Sequence, residues 1–368
     1  MTEQKLHTRV RDTVSYRKAN IALVQSVDKK IFKIDWDLNV KKFPRVLVQT
    51  ADFTGCGYYR LIYPMQKMIE KNNIQALATN NIFKTHEIAK FDPDSMIFQR
   101  QCLDHQIKYI ERCVKINQAF CIYELDDLLD GIQPKNVHYK DYNEHHFNNL
   151  YKALRMVDRF VCSTEFIKDW YHKYIDDIVV MPNMLPKNIW SPLSMKQNES
   201  NRIRVGWSGG FSHTGDLEVI IDTVKEMHKE VDFIFMGYIH PEIENYIKEY
   251  RPGVTLANYP KALSEMAIDI AIIPLEDVPF NHAKSHLKVI EFGALGTPVL
   301  ATDITPYKNF PIKYAKTNDS KGFTEALREM ISDMDETRKM GQILKQHIYD
   351  HYILDDNIDK WQKAWTPS

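Results

Sequence analysis

The sequence predicts an α/β protein built from two doubly wound domains that face one another across a cleft. Short, β-branched apolar runs of the kind that form buried parallel strands recur at 45–51, 119–125, 232–238 and 270–274. Helix-like segments separate these runs, and such alternation is typical of a parallel sheet with helices on both faces. A chain of 368 residues is long enough for two domains, each with its own core.

The composition is that of an ordinary soluble globular protein, with 44% hydrophobic and 26% charged residues. A formal net charge of -1 provides no overall field to recruit nucleic acid or anionic lipid. The N-terminus lacks a signal-peptide core, and no apolar run approaches the roughly 18 residues that span a bilayer. We expect a cytoplasmic protein without a membrane partner. The cysteines form no C-x-x-C pair, which favours a reduced compartment: Cys56, Cys102, Cys113, Cys121 and Cys162.

Residues 1–43 precede the first convincing strand and form a basic N-terminal extension. Eleven basic and five acidic residues lie between positions 1 and 45, which leaves a local excess of about +6. One interpretation is a solvated polar arm. The other is a segment that binds an anionic partner such as nucleic acid.

The first domain is predicted to span residues 44–185. Its first strand is followed by a turn in which Gly55 and Gly57 would let the backbone approach a ligand. Arg60 lies at the start of the next helix, where it could contact an anion or simply face solvent.

Two adjacent carboxylates, Asp126 and Asp127, follow directly after the strand at 119–125, where the crevice of a parallel sheet is expected. Side chains of neighbouring residues on an extended chain point in different directions. One carboxylate could therefore cap the following turn while the other meets a substrate hydroxyl. The histidines of the polar stretch 131–149 lack metal-ligand spacing, so a mobile loop is the better interpretation.

The second domain is predicted to span residues 186–344. Its first strand, 203–207, opens onto a turn that contains Gly209 and Gly210. Backbone amides exposed at such a turn can receive phosphate oxygens. His213 could donate a charge-assisted hydrogen bond there, or it could cap the turn.

Residues 269–303 read as a strand, loop, helix and strand crossover, with the helix predicted over 285–295. Lys284, Lys288 and Glu291 fall at positions i, i+4 and i+7, so they share one helix face. A solvated Glu/Lys pair explains this spacing. A ligand site explains it too, because Lys near a helix N-terminus suits a phosphate and Glu suits a sugar hydroxyl.

The same stretch resembles the donor-site segment of the GT-B glycosyltransferases, especially the large retaining family that uses nucleotide sugars. In that family a strand ending in Pro, a polar loop and a helix carrying Glu precede G-x-P-V-(V/L)-A-(T/S). The matching residues here are Glu291, Gly296, Thr297, Pro298, Val299, Leu300, Ala301 and Thr302.

The resemblance covers roughly residues 45–365. It implies two Rossmann-like domains, the first for the acceptor and the second for the nucleotide-sugar donor. It also implies that the C-terminal helix, 345–368, crosses back to the first domain and buries Trp361 and Trp365.

The resemblance further implies roles for individual residues. Arg60 and Lys288 would stabilise the departing diphosphate, and Asp126 or Asp127 would meet the acceptor. Transfer would retain the anomeric configuration of the sugar. We expect the donor to be UDP-linked and the reaction to need no metal ion or further cofactor. The donor would be bound by Gly57, Gly209, Gly210, His213, Ser285 and Glu291.

The chain departs from the family pattern at two positions. Ala283 stands where the family often has a further Glu, so Lys284 or Ser285 would replace that contact. Trp207 stands where an Arg is common, and His213 is the candidate substitute.

These features predict a glycosyltransferase, with the acceptor left open. It could be a glycan or small molecule, or a hydroxymethylated pyrimidine in DNA, as in the viral DNA glucosyl- and arabinosyltransferases of this fold. The basic extension favours DNA, and the near-neutral overall charge counts against it. A sugar-nucleotide epimerase and an inactive binding module are the alternatives. The oligomeric state is not predicted.

Overall fold

The computed structural model describes residues 41–116 and 118–367, so almost all of the predicted basic extension lies outside the described residues. The described chain forms two six-stranded sheets, one after the other, and the strands pair in parallel. Each sheet has one apolar cluster on each face. The predicted architecture of two doubly wound α/β layers is therefore confirmed.

The first sheet has the strand order β2-β1-β3-β4-β5-β6. Successive residues of β1 alternate between two cores, since Val46 and Val48 pack on one face and Leu47 on the other. Because both faces are covered, the strands are apolar along most of their length. Their bounds are β1 Arg45–Gln49, β2 Gln75–Thr79, β3 Ser95–Gln99, β4 Phe120–Leu125, β5 Arg159–Cys162 and β6 Ile178–Val180.

The second sheet has the strand order β12-β11-β10-β7-β8-β9. The direction of winding reverses between β7 and β10, and ligands of doubly wound sheets bind beside such a reversal, at the carboxyl ends of the strands. The strand bounds are β7 Arg204–Gly209, β8 Asp232–Gly237, β9 Glu249–Arg251, β10 Ile270–Ile273, β11 Val299–Ala301 and β12 Lys313–Tyr314.

Helices cover both faces of each sheet, and none in the described ranges is long and apolar enough to cross a membrane. The first helix, α1, contains a π-helical turn at Tyr58–Ile62 between α-helical segments at Gly55–Gly57 and Tyr63–Glu70. The others in the first half are α2 Thr85–Phe91, α3 Asp104–Ile116, α4 Glu144–Leu154, α5 Glu165–Tyr171 and α6 Lys187–Trp190. The second half contains α7 Thr214–Glu218, α8 Ile221–Met227, α9 Tyr259–Ser264, α10 Pro279–His282, α11 Leu287–Ala294, α12 Ser320–Ser332, α13 Met334–His351 and α14 Ile358–Trp365.

The C-terminal segment returns to the first domain, but not as one helix. It divides into α13 and α14, and Ile353 between them forms a parallel bridge with Leu185. Helix α14 then packs against α1, where Trp361 and Trp365 are fully buried. The interrupting segment pairs its backbone with the interdomain linker, which a continuous helix would prevent.

Helix α10 joins the two domains, because its side chains enter the core of the first. Phe280 and Ala283 belong to the same apolar cluster as residues of β3 and β4. The hydroxyl of Thr164, at the start of α5, donates a hydrogen bond of 3.0 Å to the carbonyl of Ala283. The loop after β10 is therefore held by both domains.

The substitution Trp361→Ala tests the packing of the returning helix. Removing a fully buried indole leaves a cavity between α14 and α1, so we expect a loss of about 3–5 kcal/mol in the free energy of unfolding. Urea denaturation followed by far-ultraviolet circular dichroism measures it. The control is Ile343→Ala on α13, where the side chain is exposed and the expected change is within about 0.5 kcal/mol. Equal effects of the two substitutions would contradict the burial of α14.

Candidate functional site

A buried carboxylate, Glu291, lies where the second domain meets the first. Its side chain is on α11, and the residue is 4% exposed. Oε1 accepts a hydrogen bond of 2.9 Å from the hydroxyl of Tyr59, and Oε2 accepts one of 3.1 Å from the hydroxyl of Tyr259. Burial raises the pKa of Glu291 to about 7, although Lys288 and the two hydroxyls favour the charged form. A solvated surface carboxylate is therefore excluded.

Lys288 lies one helical turn before Glu291 and points to the end of β7. Its Nζ donates a hydrogen bond of 2.6 Å to the carbonyl of Ser208 and lies 5.4 Å from the ring centroid of Trp207. Burial, reinforced by Lys284, lowers the pKa of Lys288 to about 8 despite the nearby Glu291. No carboxylate of the described residues forms an ion pair with this Nζ, so its charge is available to an anionic ligand.

The glycines after β7 make room for this lysine. A Cβ atom at position 209 would lie 2.6 Å from the Trp207 ring and 2.9 Å from Nζ of Lys288, so Gly209 permits the approach of the ammonium group. Gly210 is exposed, and a Cβ there would meet nothing within 4 Å. The turn is therefore crowded at Gly209, beside the Lys288 ammonium group, and open at Gly210.

His213 adjoins the same turn but carries no charge at neutral pH. Burial, together with Lys284 and Lys288, lowers its pKa to about 3, although Asp216 opposes this shift. The short contact of 2.6 Å between Nδ1 and Oδ2 of Asp216 requires the proton to lie on Nδ1. The neutral ring cannot donate the charge-assisted hydrogen bond that the sequence suggested for it.

Asp216, which no motif singled out, holds this side of the site together. Its Oδ1 accepts hydrogen bonds from the Glu276 amide at 2.9 Å and from the Asn281 side chain at 2.7 Å. Its Oδ2 lies 3.3 Å from Nζ of Lys284. Burial alone would raise the pKa of Asp216, but Lys284 and His213 outweigh burial and lower it. The ion pair holds Lys284 beside His213, where its side chain is 14% exposed.

Two of the predicted donor-binding residues have structural partners. The Ser285 hydroxyl accepts a hydrogen bond of 2.9 Å from the side chain of Asn183 in the linker. Gly57 is buried in α1, where a Cβ atom would lie 2.0 Å from the carbonyl oxygen of Asp52. Glycine is required at this position by the turn itself, whatever else the turn binds.

Arg60 does not face the cleft as the sequence suggested. Its side chain is fully buried, and its Nε donates a hydrogen bond of 2.6 Å to Glu124 at the end of β4. Its Nη1 lies 3.1 Å from Oδ1 of Asn183, and its guanidinium lies 5.2 Å from the ring centroid of Trp361. A buried guanidinium with these partners serves the packing of α1, and it does not reach a diphosphate in this arrangement.

A second cluster of polar and charged side chains lies at the carboxyl end of the first sheet. Ligand atoms of Cys56, Asp126 and Asp127 all lie within 4.8 Å of one another, close enough to hold a metal ion. Arg100 donates to both carboxylates, with Nη2 at 2.6 Å from Asp126 and 2.7 Å from Asp127. Its guanidinium neutralises part of their charge.

Solved structures resemble this chain in fold, at low sequence identity. No family model matches the chain, and no curated protein sequence matches it. Among solved structures, sucrose-phosphate synthase from Thermosynechococcus elongatus superposes with a TM-score of 0.62 at 11% identity, covering 87% of this chain and 97% of that one. Anabaena HepE, solved with UDP and glucose, gives 0.59 at 12% identity over 86% and 98%. An alpha-glucosyltransferase, solved with UDP-glucose and DNA containing an abasic site, gives 0.59 at 13% over 87% and 98%.

The chain has the GT-B fold. Its GT-B cleft brings together Lys288, Glu291 and the glycine turn from the second domain. From the first domain it receives Tyr59, which sequence analysis missed.

Sequence signals for the missed residues existed but were weak. Asp216 follows His213 by three residues, a spacing that places both on one face of a helical turn. Tyr59 directly precedes Arg60, and the π-helical turn of α1 decides which of the two faces the cleft. Such turns cannot be recognised from hydrophobic periodicity.

The substitution Glu291→Gln tests the raised pKa through stability. The folded chain binds the Glu291 proton more tightly than the unfolded chain, so this group's contribution is complete below about pH 4.5 and is lost as pH rises through 7. The free energy of unfolding of the variant, minus that of the original protein, should rise by roughly 3 kcal/mol between pH 4.5 and pH 7.5. Urea denaturation at each pH measures it.

Glu329→Gln is the matched control. Lys313 and Lys316 lower the pKa of this exposed carboxyl to about 2, so its contribution is already complete above pH 4.5. The difference from the original protein should stay constant over the same window. Parallel curves for Glu291→Gln would show that Glu291 is not buried as described.

Proposed function

We propose that this protein transfers a sugar from a nucleotide-diphosphate sugar to an acceptor hydroxyl. The observation that carries this proposal is the buried pair of Lys288 and Glu291 at the carboxyl end of the second sheet. Both groups have pKa values that burial shifts towards neutrality, and such shifts are common at functional sites.

The chemistry requires positive charge at the departing diphosphate. Stabilising that charge is usually the largest contribution to catalysis of this kind. Lys288 would bind the diphosphate at the turn formed by Gly209 and Gly210, and Lys284 would approach it from beside His213. We propose that these cations act without a metal ion and without a further cofactor.

Glu291 would bind the ribose of the donor. A carboxylate accepts hydrogen bonds from two adjacent hydroxyls, and here both oxygens already accept from tyrosines. Ribose hydroxyls would replace one or both tyrosine hydroxyls. Because Tyr59 belongs to the first domain, donor binding would exchange an interdomain hydrogen bond for a bond to the ligand.

Similarity to solved structures supports the finer details. HepE was solved with UDP, and the alpha-glucosyltransferase with UDP-glucose, so a UDP-linked sugar is the first donor to test. We also propose retention of the anomeric configuration, which the resemblance of residues 291–302 to the retaining family supports. Anomeric proton couplings in the product would decide it.

Substitutions in the donor site test the proposed function. Lys288→Ala and Glu291→Ala should each lower turnover by about tenfold to a thousandfold, because each removes a contact to the departing nucleotide. UDP release from a panel of UDP-sugars measures turnover. The shift in melting temperature with UDP measures binding, since a ligand of the folded state stabilises it.

Lys261→Ala is the control, since this lysine is exposed on α9 in the same domain. It should leave both measurements unchanged. Original rates in Lys288→Ala and Glu291→Ala would refute the placement of the donor. Conversion of the UDP-sugar to its epimer, without UDP release, would favour the epimerase alternative.

For the acceptor we propose a modified pyrimidine in DNA. Two observations support it: the alpha-glucosyltransferase was solved with DNA, and the N-terminal residues carry a local excess of about +6. Residues 1–40 contain eight of the eleven basic residues and all five acidic ones, a net charge of +3. A chain lacking them should show weaker salt-sensitive retention on duplex DNA, because basic residues displace counterions from phosphates. Ending the deletion at residue 40 keeps Lys41, which pairs with Asp92 and Asp94.

The full chain should elute from immobilised duplex DNA at a higher salt concentration than the shortened chain. UDP binding by the shortened chain is the control and should be unchanged. If both chains elute together without retention, the acceptor is a glycan or a small molecule.

A further inference from the structure

Arg100, at the end of β3, lies in an unusual backbone conformation. Its φ is +53°, in the left-handed region that residues other than glycine rarely adopt. Its amide donates a hydrogen bond of 3.1 Å to the carbonyl of Glu124 in the neighbouring strand. Strain of this kind is kept where the surrounding contacts impose it. Here it directs the guanidinium towards the two carboxylates that follow β4.

Asp126 is the more enclosed of the two carboxylates. Its Oδ1 accepts from both Nε and Nη2 of Arg100, at 2.7 and 2.6 Å. The same Nη2 donates a hydrogen bond of 3.1 Å to Sγ of Cys56. The Asp126 carbonyl accepts a hydrogen bond of 2.9 Å from the hydroxyl of Ser163. The side chain is 9% exposed.

Asp127 has a different environment. Its Oδ2 accepts a single hydrogen bond of 2.7 Å from Nη2 of Arg100, and its Oδ1 has no hydrogen-bond partner among the described residues. The side chain is 31% exposed. The positive charge of Lys284, from the opposite side of the cleft, acts on this carboxylate.

We propose that Asp127 is the carboxylate that binds the acceptor hydroxyl, and that Arg100 is the positioning residue that holds it in place. The proposal rests on the proposed function and decides between the two carboxylates. The acceptor oxygen would donate its proton to Oδ1 of Asp127 and form a bond to the anomeric carbon. The bond from that carbon to the diphosphate would break, with its electron pair leaving on the nucleotide.

The different environments of the two carboxylates fit different roles. Burial alone would raise the pKa of Asp126, but Arg100 lowers it, so Asp126 stays ionised as the partner of the guanidinium. Burial and the adjacent Asp126 raise the pKa of Asp127. Carboxyl pairs whose pKa values are pushed apart commonly divide the work of ion pairing and proton transfer. The charged and titratable groups facing Asp127 are Asp126, Arg100, Cys56, Lys284, His138 and Tyr142.

The test uses the full chain with UDP-glucose as donor, and water or molar glycerol as the acceptor. Asp127→Asn removes the proton acceptor while keeping the shape of the side chain. It should lower UDP release by about a hundredfold or more, with the affinity for UDP unchanged. Asp126→Asn should cost less, since Asp126 does not touch the acceptor.

The kinetic constants for glycerol separate positioning from simple structural support. Arg100→Gln removes the guanidinium that holds Oδ2 of Asp127, so it should lower kcat and raise the KM for glycerol, with the affinity for UDP unchanged. Arg100→Lys keeps a cationic donor and should restore part of the turnover. A melting transition and unchanged UDP binding would establish that each variant is folded.

The proposal is overturned if Asp127→Asn releases UDP at the original rate. It is also overturned if the Asp126, Asp127 and Arg100 variants lose the same fraction of activity and Arg100→Lys restores none of it, because equal losses indicate a structural role. UDP binding without any UDP release by the original chain also counts against it, since a basic carboxylate beside the anomeric carbon should activate small hydroxyls. Failure of every variant and the original chain to bind UDP would instead refute the proposed function.

Discussion

The site depends on two buried charged side chains, Lys288 and Glu291, whose charges are only partly balanced by their neighbours. Glu291 and Lys288 lie on one helix, yet neither forms a close ion pair with the other; instead they hydrogen-bond to tyrosine hydroxyls and to a backbone carbonyl. Burial of an ionised group is unfavourable unless its charge is balanced. Burial therefore shifts the pKa values of Lys288 and Glu291 towards neutrality. In the proposed function, the donor diphosphate would balance the charge of Lys288 and the ribose hydroxyls would hydrogen-bond to Glu291.

In the first domain, the buried charge of Arg60 is balanced by neighbouring side chains. Arg60 is satisfied by Glu124, by the linker residue Asn183 and by the face of Trp361. These contacts tie α1, β4, the linker and the C-terminal helix together. The guanidinium stabilises the junction of the domains, although its Nη2 is buried without a hydrogen-bond partner among the described residues. Lys288 lacks a carboxylate partner among those residues, and in the proposed function its charge would bind the donor.

The sequence predicted the arrangement of the second domain well. The strand, loop, helix and strand unit at 269–303 forms β10, α10, α11 and β11, and α11 is followed by Gly296 with a φ of +79°. Hydrophobic runs and glycine positions are local features, so they can be recognised in the sequence without knowledge of the tertiary structure. The C-terminal segment was less predictable, because its helix is broken at Ile353 by a backbone bridge to the linker.

The sequence by itself determined the α/β class, the order of the strands along the chain and the helix that carries Lys288 and Glu291. Apolar periodicity and helix spacing contain that information. Only the tertiary structure decided which side chains face the cleft. The π-helical turn directs Tyr59 to Glu291 and Arg60 into the core, and Arg100 reaches Asp126 and Asp127 because β3 and β4 are neighbours in the sheet. His213 is likewise uncharged because it is buried beside Lys284 and Lys288. These lysines lie about seventy residues from His213 in the sequence and approach it only in the folded chain.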